Sequence, residues 1–343
     1  MRPITCWPFI LAFSLFSAPA SAQPVIWIDA HSHLEAGPGT GGQVDFKASA
    51  AAALATMDQR GLQRILIMPP PALREQRNDY EELADIAKKN PNRFAFLSGG
   101  RSLNPMIQES VRAGNVTPEI RRRFEERAEE IVTAGAVGFG EMTAFHLSFR
   151  QGHPFEEAPP DHPLFILLAE IAARHDIVID LHMEAVVQDM ALPDRFSSPP
   201  NPKILRENMT AFKRLLSQNP KTRLVWAHVG WDNTGQMTVA LVRSLLETHP
   251  NLTMSIKIRQ LPPGQSISHN SPLDEHEKIR PAWLELIRSF PDRFVIGTDS
   301  FYGMPLQAEL VSRGPLSLLG QLPGDLARKI GYENAVKIYR LKK

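Results

Sequence analysis

The stretch Val25-Ile26-Trp27-Ile28-Asp29-Ala30-His31-Ser32-His33 runs from an apolar segment of strand length into two histidines spaced two residues apart. Side chains at positions i and i+2 of a strand point to the same face, so His31 and His33 are expected to lie side by side. Two imidazoles in that arrangement can hold one divalent metal ion. A His-x-His motif alone is a weak signal, and the rest of the chain decides its meaning.

Seven further apolar segments, rich in β-branched and aromatic residues, follow the first. The eight predicted strands are Val25–Asp29, Arg64–Met68, Phe94–Ser98, Ala136–Gly140, Ile177–Leu181, Arg223–Ala227, Leu252–Ile256 and Phe294–Gly297. Amphipathic stretches predict helices between them, at Ala48–Gly61, Asp79–Asn90, Val116–Ala134, Pro163–His175, Lys203–Asn219, Gln236–His249 and Arg280–Phe290. This alternation predicts an α/β protein with parallel strands, either a (β/α)8 TIM barrel or an open doubly wound sheet.

Residue types that ligate metals stand where four other predicted strands end. Glu141 follows the fourth strand, His182 the fifth, His228 the sixth and Asp299 the eighth. In a barrel all eight carboxyl ends converge on one rim, where active sites are built. Burying four histidines and two carboxylates together would be costly without a cation. The sequence therefore predicts a (β/α)8 barrel whose rim carries a metal site made by His31, His33, Glu141, His182, His228 and Asp299.

These positions resemble the metal-ligand signature of the amidohydrolase superfamily, a group of metal-dependent hydrolase barrels, from Ile28 to Asp299. The tail Glu333-Asn334-Ala335-Val336-Lys337-Ile338-Tyr339 is similar to the ending of the amidohydrolase-related branch, which includes aminocarboxymuconate-semialdehyde decarboxylase-like proteins and lactonases. The resemblance implies one buried metal ion at His31, His33 and Asp299, a second at His182 and His228, and Glu141 as the bridge between them. Decarboxylase-like members usually hold one ion and lack an acid on the fourth strand, so Glu141 favours two ions and hydrolysis.

The resemblance implies a metal-dependent hydrolase that uses metal-activated water on an ester, lactone, amide or phosphoester of a small molecule. Asp299 is expected to be the catalytic group, taking the proton of the attacking water and passing it to the leaving group. The expected cofactor is one or two divalent ions, zinc first, with manganese, iron and cobalt as alternatives. Two other functions stay open: a decarboxylase with one metal ion on the same fold, and a metal-binding protein without turnover.

Four residues on the predicted rim are candidates for substrate binding. Arg101 follows the third strand and Lys257 ends the seventh, and each would pair either with an anionic substrate or with an acid of the rim. Trp231 is expected to form an apolar wall. Asp232 is expected either to orient a ligand histidine or to cap the next helix.

Three long segments, Met142–His162, Met183–Pro202 and Arg259–Lys278, follow strands and are therefore expected on the same rim. Long ordered loops of a compact domain are commonly functional, and the many prolines of these three predict fixed walls. The first segment contains His146, His153 and His162, which are expected near the entrance and receive no role in the site.

Residues 1–22 have the pattern of a secretory signal peptide. Arg2 is followed by an uncharged apolar run, and Ala20-Ser21-Ala22 predicts cleavage after Ala22. The single cysteine, Cys6, lies in this segment. The mature chain, residues 23–343, is predicted to be a single metal-dependent hydrolase domain, periplasmic or secreted, without stable membrane association.

Composition excludes several classes of protein. The 343 residues include 38 Lys and Arg, 37 Asp and Glu, and 43% hydrophobic residues, which argues against a disordered, collagen-like or disulfide-stapled chain. Cleavage would remove one basic residue, Arg2, and no acid, leaving 37 of each charge. A neutral protein lacks the positive field that nucleic-acid binding needs, so a deoxyribonuclease is disfavoured and no nucleic-acid partner is expected. The expected partner is a small-molecule substrate, and homo-oligomerisation stays open.

Overall fold

The computed structural model describes residues 25–35, 44–76, 79–149, 153–197, 200–258, 268–304 and 313–342. The predicted signal peptide and its cleavage site lie outside these residues. The described part of the chain contains twelve strands, in chain order: β1 (Trp27–His33), β2 (Leu62–Ile67), β3 (Phe94–Gly99), β4 (Gly138–His146), β5 (Glu156–Glu157), β6 (Val178–Met183), β7 (Met190–Ala191), β8 (Ile204–Leu205), β9 (Arg223–Val229), β10 (Leu252–Ile256), β11 (Phe294–Ile296) and β12 (Ser300–Phe301).

Eight of these strands form a parallel barrel. Hydrogen-bonded neighbours follow the order β1, β2, β3, β4, β6, β9, β10, β11. The short strand β12 comes directly after β11 in the chain and pairs in parallel with β1. Between β11 and β12, the Asp299 N–H donates to the His31 carbonyl at 2.8 Å and the Thr298 N–H donates to Asp29 Oδ1 at 2.9 Å. The sheet thus closes on itself, which confirms the predicted (β/α)8 barrel and its eight strands and excludes the open sheet.

The helices cover the outside of the barrel. They are α1 (Phe46–Arg60), α2 (Glu81–Lys89), α3 (Leu103–Ala113), α4 (Pro118–Thr133), α5 (Pro163–His175), α6 (Met209–Gln218), α7 (Val239–Thr248), α8 (Pro281–Ser289), α9 (313–319), α10 (Gly324–Arg328) and α11 (Asn334–Ile338). All seven predicted helices are present, but α6 begins at Met209 because Ile204 and Leu205 pair with β7 instead. The sequence analysis did not predict α3, in which Pro105 lies in the first turn, where proline is tolerated.

Apolar side chains fill the lower half of the barrel and leave the rim to the polar ones. A buried cluster inside the barrel includes Ile28, Leu66, Leu97, Val178, Val225 and Val295, and Tyr339 and Leu341 near the C-terminus join it. The polar residues of the same strands come later along the chain, towards the carboxyl ends. Within the described part of the chain, no helix has both the length and the apolar character needed to cross a bilayer.

Candidate metal centre

Glu141 lies at the centre of the six residues predicted as ligands. Its Oε2 is 3.6 Å from His31 Nε2 and 3.4 Å from His33 Nε2. Its Oε1 is 2.7 Å from His182 Nδ1 and 3.0 Å from His228 Nε2. Each carboxylate oxygen therefore faces one pair of histidines, and the two pairs meet where the His31 and His228 rings lie 4.6 Å apart between centroids.

Asp299 completes the group from the closing segment of the barrel. Its Oδ1 is 3.1 Å from His33 Nε2 and 3.9 Å from His31 Nε2. One ligand atom from each of His31, Glu141, His228 and Asp299 can be chosen so that all four lie within 4.8 Å of one another. That spacing is small enough for a single cation to contact several of these atoms.

Three of the six residues lie in irregular stretches of their strands. Between ladder partners, β1 has an extra residue in 29–32, β4 in 139–142 and β9 in 226–229, and these stretches contain His31, Glu141 and His228. Bulges of this kind redirect side chains and are common beside active sites. The predicted end of the fourth strand was too early: β4 continues to His146, and Glu141 lies inside the strand rather than after it.

Backbone conformation also sets the direction of two of these side chains. His228 and Asp299 have positive φ angles, 61° and 55°, in the left-handed region that few residues other than glycine adopt. Next to Glu141, a Cβ on Gly140 would lie only 2.9 Å from the Cβ of Asp180, so a side chain at Gly140 would push these two strands apart.

Asp180, inside the predicted strand Ile177–Leu181, belongs to the site although its role was not predicted. Its Oδ1 lies 3.0 Å from His31 Nδ1, and both side chains are fully buried. His33 Nδ1 lies 2.8 Å from the Met68 carbonyl. In each ring the proton held on Nδ1 leaves the Nε2 lone pair free to bind a metal ion. The available signal was the i, i+2 spacing of Asp180 and His182, the same spacing as His31 and His33.

The donor set fits a divalent cation. Among the residues that the structure describes, His31 Nε2 and His228 Nδ1 are buried without a hydrogen-bond partner. Buried polar atoms are nearly always paired, so orphaned nitrogens beside two carboxylates indicate a missing partner of positive charge. Imidazole and carboxylate together suit zinc, manganese, iron or cobalt.

Charges within the centre shift the pKa values of its histidines in opposite directions. Burial alone would lower the pKa of His31, but Asp180 and Glu141 outweigh it and raise that pKa well above its usual value. Burial likewise opposes a raised pKa at His182, yet hydrogen bonds to Glu141 and Glu184 raise it to about 9. At neutral pH without a metal ion, the rings of His31 and His182 are therefore positively charged imidazolium groups.

His228 behaves differently although it also contacts Glu141. Burial and the nearby Lys257 ammonium lower the pKa of His228 to about 3, so this ring is neutral. Burial would raise the pKa of Asp299, but Lys257 and His228 outweigh it and hold that pKa well below its usual value. Burial would also raise the pKa of Glu141, but His31 and the other histidines that face it outweigh burial and hold that pKa well below its usual value. Both acids are thus carboxylates at neutral pH.

Metal binding should depend on pH, since bound imidazoles must be neutral. The pKa of His182 is about 9, so the ring is mostly protonated below that pH. A proton then competes with the metal ion for the imidazole nitrogen. We expect the apparent zinc affinity to rise about tenfold per pH unit between pH 6 and 8 for each proton released. Competition with a chromophoric chelator measures this slope, and His182→Gln should reduce it. His175→Gln, at the surface, is the control, and an unchanged slope in His182→Gln would contradict the assignment.

The four candidate substrate residues occupy different positions. The Lys257 ammonium forms an ion pair with Asp299 Oδ2 and lies 4.0 Å from the centre of the Trp231 ring. Arg101 Nη2 is 2.8 Å from Glu35 Oε1, so this arginine pairs with an acid of the rim. The Asp232 carboxylate accepts from the Gly235 N–H at 2.8 Å and from Asn270 Nδ2 at 2.6 Å, so it holds the loop before α7. The capping alternative is wrong, because the side chain that caps α7 is that of Thr238.

The predicted long loops differ in part from those in the structure. The first begins after His146, because β4 extends further than predicted. His162, which was expected near the entrance of the site, caps the first turn of α5. In the second loop, β7 and β8 form a short antiparallel hairpin. Residues 259–267 of the third lie outside the described residues.

The sequence matches the family model described as amidohydrolase over residues 28–341. The chain belongs to the amidohydrolase family. No match was found among curated proteins. The family assignment covers all six residues of the centre and agrees with the resemblance drawn from the sequence.

Solved structures of low sequence identity share the fold. The 2,6-dihydroxybenzoate decarboxylase from Rhizobium is 14% identical, with 92% of this chain and 99% of that chain covered and a TM-score of 0.54. A probable 2-pyrone-4,6-dicarboxylic acid hydrolase from Acinetobacter baumannii is 12% identical, with the same coverage and a TM-score of 0.53. A dihydroxybenzoic acid decarboxylase from Polaromonas, solved with manganese, is 15% identical over 93% and 98%, with a TM-score of 0.52. At this identity the likeness supports the TIM-barrel fold alone.

Glu156 on β5 is a second buried acid, adjacent to the centre. Its side chain is fully buried, and Asn104 Nδ2 donates to its Oε2 at 2.6 Å. Burial outweighs this hydrogen bond and raises the pKa of Glu156 to about 7. Because the folded-state pKa exceeds the ordinary value of 4.5, the stability linked to this group is present in acid and is lost as pH rises through 7.

Glu156→Gln should remove this pH dependence. We expect the free energy of unfolding of wild type minus that of the variant to fall by about 2–3 kcal/mol between pH 5 and pH 8. Urea unfolding of the metal-free proteins at both pH values measures the difference, and other titrating groups cancel between them. Parallel stability curves for the two proteins would show that Glu156 does not titrate in this range.

Proposed function

We propose that the mature chain, residues 23–343, is a single-domain metal-dependent hydrolase that acts on an ester, lactone, amide or phosphoester of a small molecule. The observation that supports it most is the position of Glu141, whose two oxygens face His31 with His33 and His182 with His228. A carboxylate between two imidazole pairs fits two divalent ions with Glu141 as the bridge. A bound divalent ion would lower the pKa of water and polarise the oxygen of the scissile group.

The residues around this centre have separate tasks in the proposal. Asp299 stays ionised and lies beside His33, so it is the group placed to accept a proton from water and return it to the leaving group. Lys257 holds Asp299 in place through their ion pair. Asp180 orients His31 through the Nδ1 contact. Lys257 would also meet an anionic group of the substrate, and Trp231, whose ring centre is 4.0 Å from the Lys257 ammonium, would bound the site on an apolar side.

The first experiment is elemental analysis of the purified mature chain together with a substrate screen. Two ions per chain, zinc by preference, and turnover of an ester, lactone or phosphoester would support the proposal. Failure to bind zinc or manganese after reconstitution would overturn it.

A second candidate function is a decarboxylase with one metal ion. One observation favours it: four donors of the centre lie within 4.8 Å of one another, close enough for a single ion. Two of the structures that share the fold are decarboxylases of dihydroxybenzoates, which suggests the acids to test. One ion per chain and release of CO₂ from 2,6-dihydroxybenzoate or a related aromatic acid would favour this function over hydrolysis.

Export of the chain is part of the proposal. The signal-peptide pattern of residues 1–22 predicts a periplasmic or secreted protein that begins at Gln23. N-terminal sequencing of the protein recovered from the periplasm or medium tests this, and an intact Met1 would contradict it.

A further inference from the structure

A row of aromatic rings extends outward from the candidate metal centre. The His146 ring lies 4.8 Å from the ring of His182, measured between centroids, and 4.8 Å from that of His153. Phe149 is 5.8 Å from His146 and 5.2 Å from His153, and Phe196 is 5.4 Å from Phe149. We call His182, His146, His153, Phe149 and Phe196 the ring row.

The ring row runs from the interior to the surface. His182 and His146 are buried at the carboxyl ends of β6 and β4, whereas the Phe149 side chain is 40% exposed. A single exposed apolar residue is ordinary and needs no explanation. Phe149 differs because its ring contacts His146, which contacts His182, and His182 faces Glu141 in the metal centre.

Hydrogen bonds hold the outer part of the ring row in place. The Phe149 N–H donates to His153 Nδ1 at 3.3 Å. Asn201, in the loop after β6, accepts from the Ser148 N–H at 2.7 Å and donates to the carbonyls of Ser148 and Phe196 at 2.8 and 2.9 Å. The loops after β4 and β6 are therefore joined, and the rings are positioned before any ligand arrives, which reduces the entropy lost on binding.

We propose that the ring row is a substrate subsite for a flat, ring-bearing group attached to the bond that the metal centre cleaves. Aromatic rings prefer edge-to-face or offset contacts at centroid distances of about 4.5–7 Å, and the exposed part of the Phe149 ring is available for such a contact with a ligand ring. Lys257 follows β10, whereas His146 and His182 belong to β4 and β6, so an anionic group and a ring would bind at different parts of the rim. This subsite rests on the proposed metal-dependent function, because it orients a substrate towards that centre.

The test uses two hydroxamates, which chelate metal ions and differ only in the group they carry. Binding of acetohydroxamate and 3-phenylpropionohydroxamate to the zinc-loaded mature chain is measured by titration calorimetry. We expect the phenyl compound to bind about tenfold more tightly, from the added apolar contact. Phe149→Ala should remove most of that advantage and Phe149→Leu part of it, with acetohydroxamate affinity unchanged in both.

The control is Ile26→Ala, since Ile26 is 39% exposed and precedes β1 at the opposite end of the barrel. This variant should bind both compounds as the wild type does. Equal affinity of the two hydroxamates, or an advantage that survives in Phe149→Ala, would overturn the subsite and leave the metal centre intact. Binding of neither compound would overturn the metal centre itself, and the subsite with it.

Discussion

Replacing Glu141 with alanine should lower the metal content from two ions per chain to one or none. Among the described residues, Glu141 is the side chain that faces all four histidines, with Oε2 towards His31 and His33 and Oε1 towards His182 and His228. Without it the four imidazoles lose the negative charge that balances two cations in a buried site. Turnover should fall more than about 100-fold, since even the outer partners of metal ligands cost 10- to 100-fold.

Elemental analysis after reconstitution in zinc and removal of excess ion measures the change. Glu156→Gln is a matched control, because it alters another buried glutamate near the centre, one whose Oε2 bonds to Asn104. The control should keep two ions per chain. One ion per chain in the wild type, unchanged in Glu141→Ala, would remove Glu141 from the metal site and make the decarboxylase the better proposal.

Most of the barrel could be predicted from the sequence because its signals are local. Each barrel strand is a short apolar run, and the helices between them have amphipathic patterns, several of which end at glycine or before proline, as at Gly61 and Pro91. The errors occurred where a tertiary contact decides the structure. Ile204 and Leu205 continue a helical pattern but pair with β7, and β4 extends past Gly140 because it pairs with β6 as far as Phe145.

The candidate centre could be predicted as a set of residues but not as an arrangement. Their place near strand ends was enough to bring His31, His228 and Asp299 to one rim. The bulges that aim His31 and His228, and the left-handed backbone of His228 and Asp299, depend on pairing between strands and leave no periodic pattern in the sequence. Asp180 was missed for a related reason, since an acid inside an apolar run has no visible partner until β1 places His31 beside it.

Asp299→Asn should abolish most turnover while metal ions remain bound. The substitution keeps the size of the side chain and its Oδ1 position beside His33, but it removes the carboxylate that would accept the proton of the attacking water. Burial raises the pKa of Asp299, yet Lys257 and His228 outweigh it and hold that pKa well below normal, so the wild-type group is ionised throughout the neutral range. Loss of a general base of this kind costs about 100- to 10,000-fold in turnover.

Loss of the ion pair with Lys257 is a second explanation for reduced turnover in Asp299→Asn, and the experiment must distinguish it from loss of the proton acceptor. If Asp299 served only to hold Lys257, then Lys257→Gln would reduce turnover as much as Asp299→Asn does. If Asp299 transfers the proton, Lys257→Gln should mainly raise KM for an anionic substrate and leave a larger share of kcat, because the carboxylate remains. Steady-state kinetics of both variants, with metal content measured on the same samples, distinguish the two. Full turnover in Asp299→Asn with metal still bound would assign proton transfer to another group.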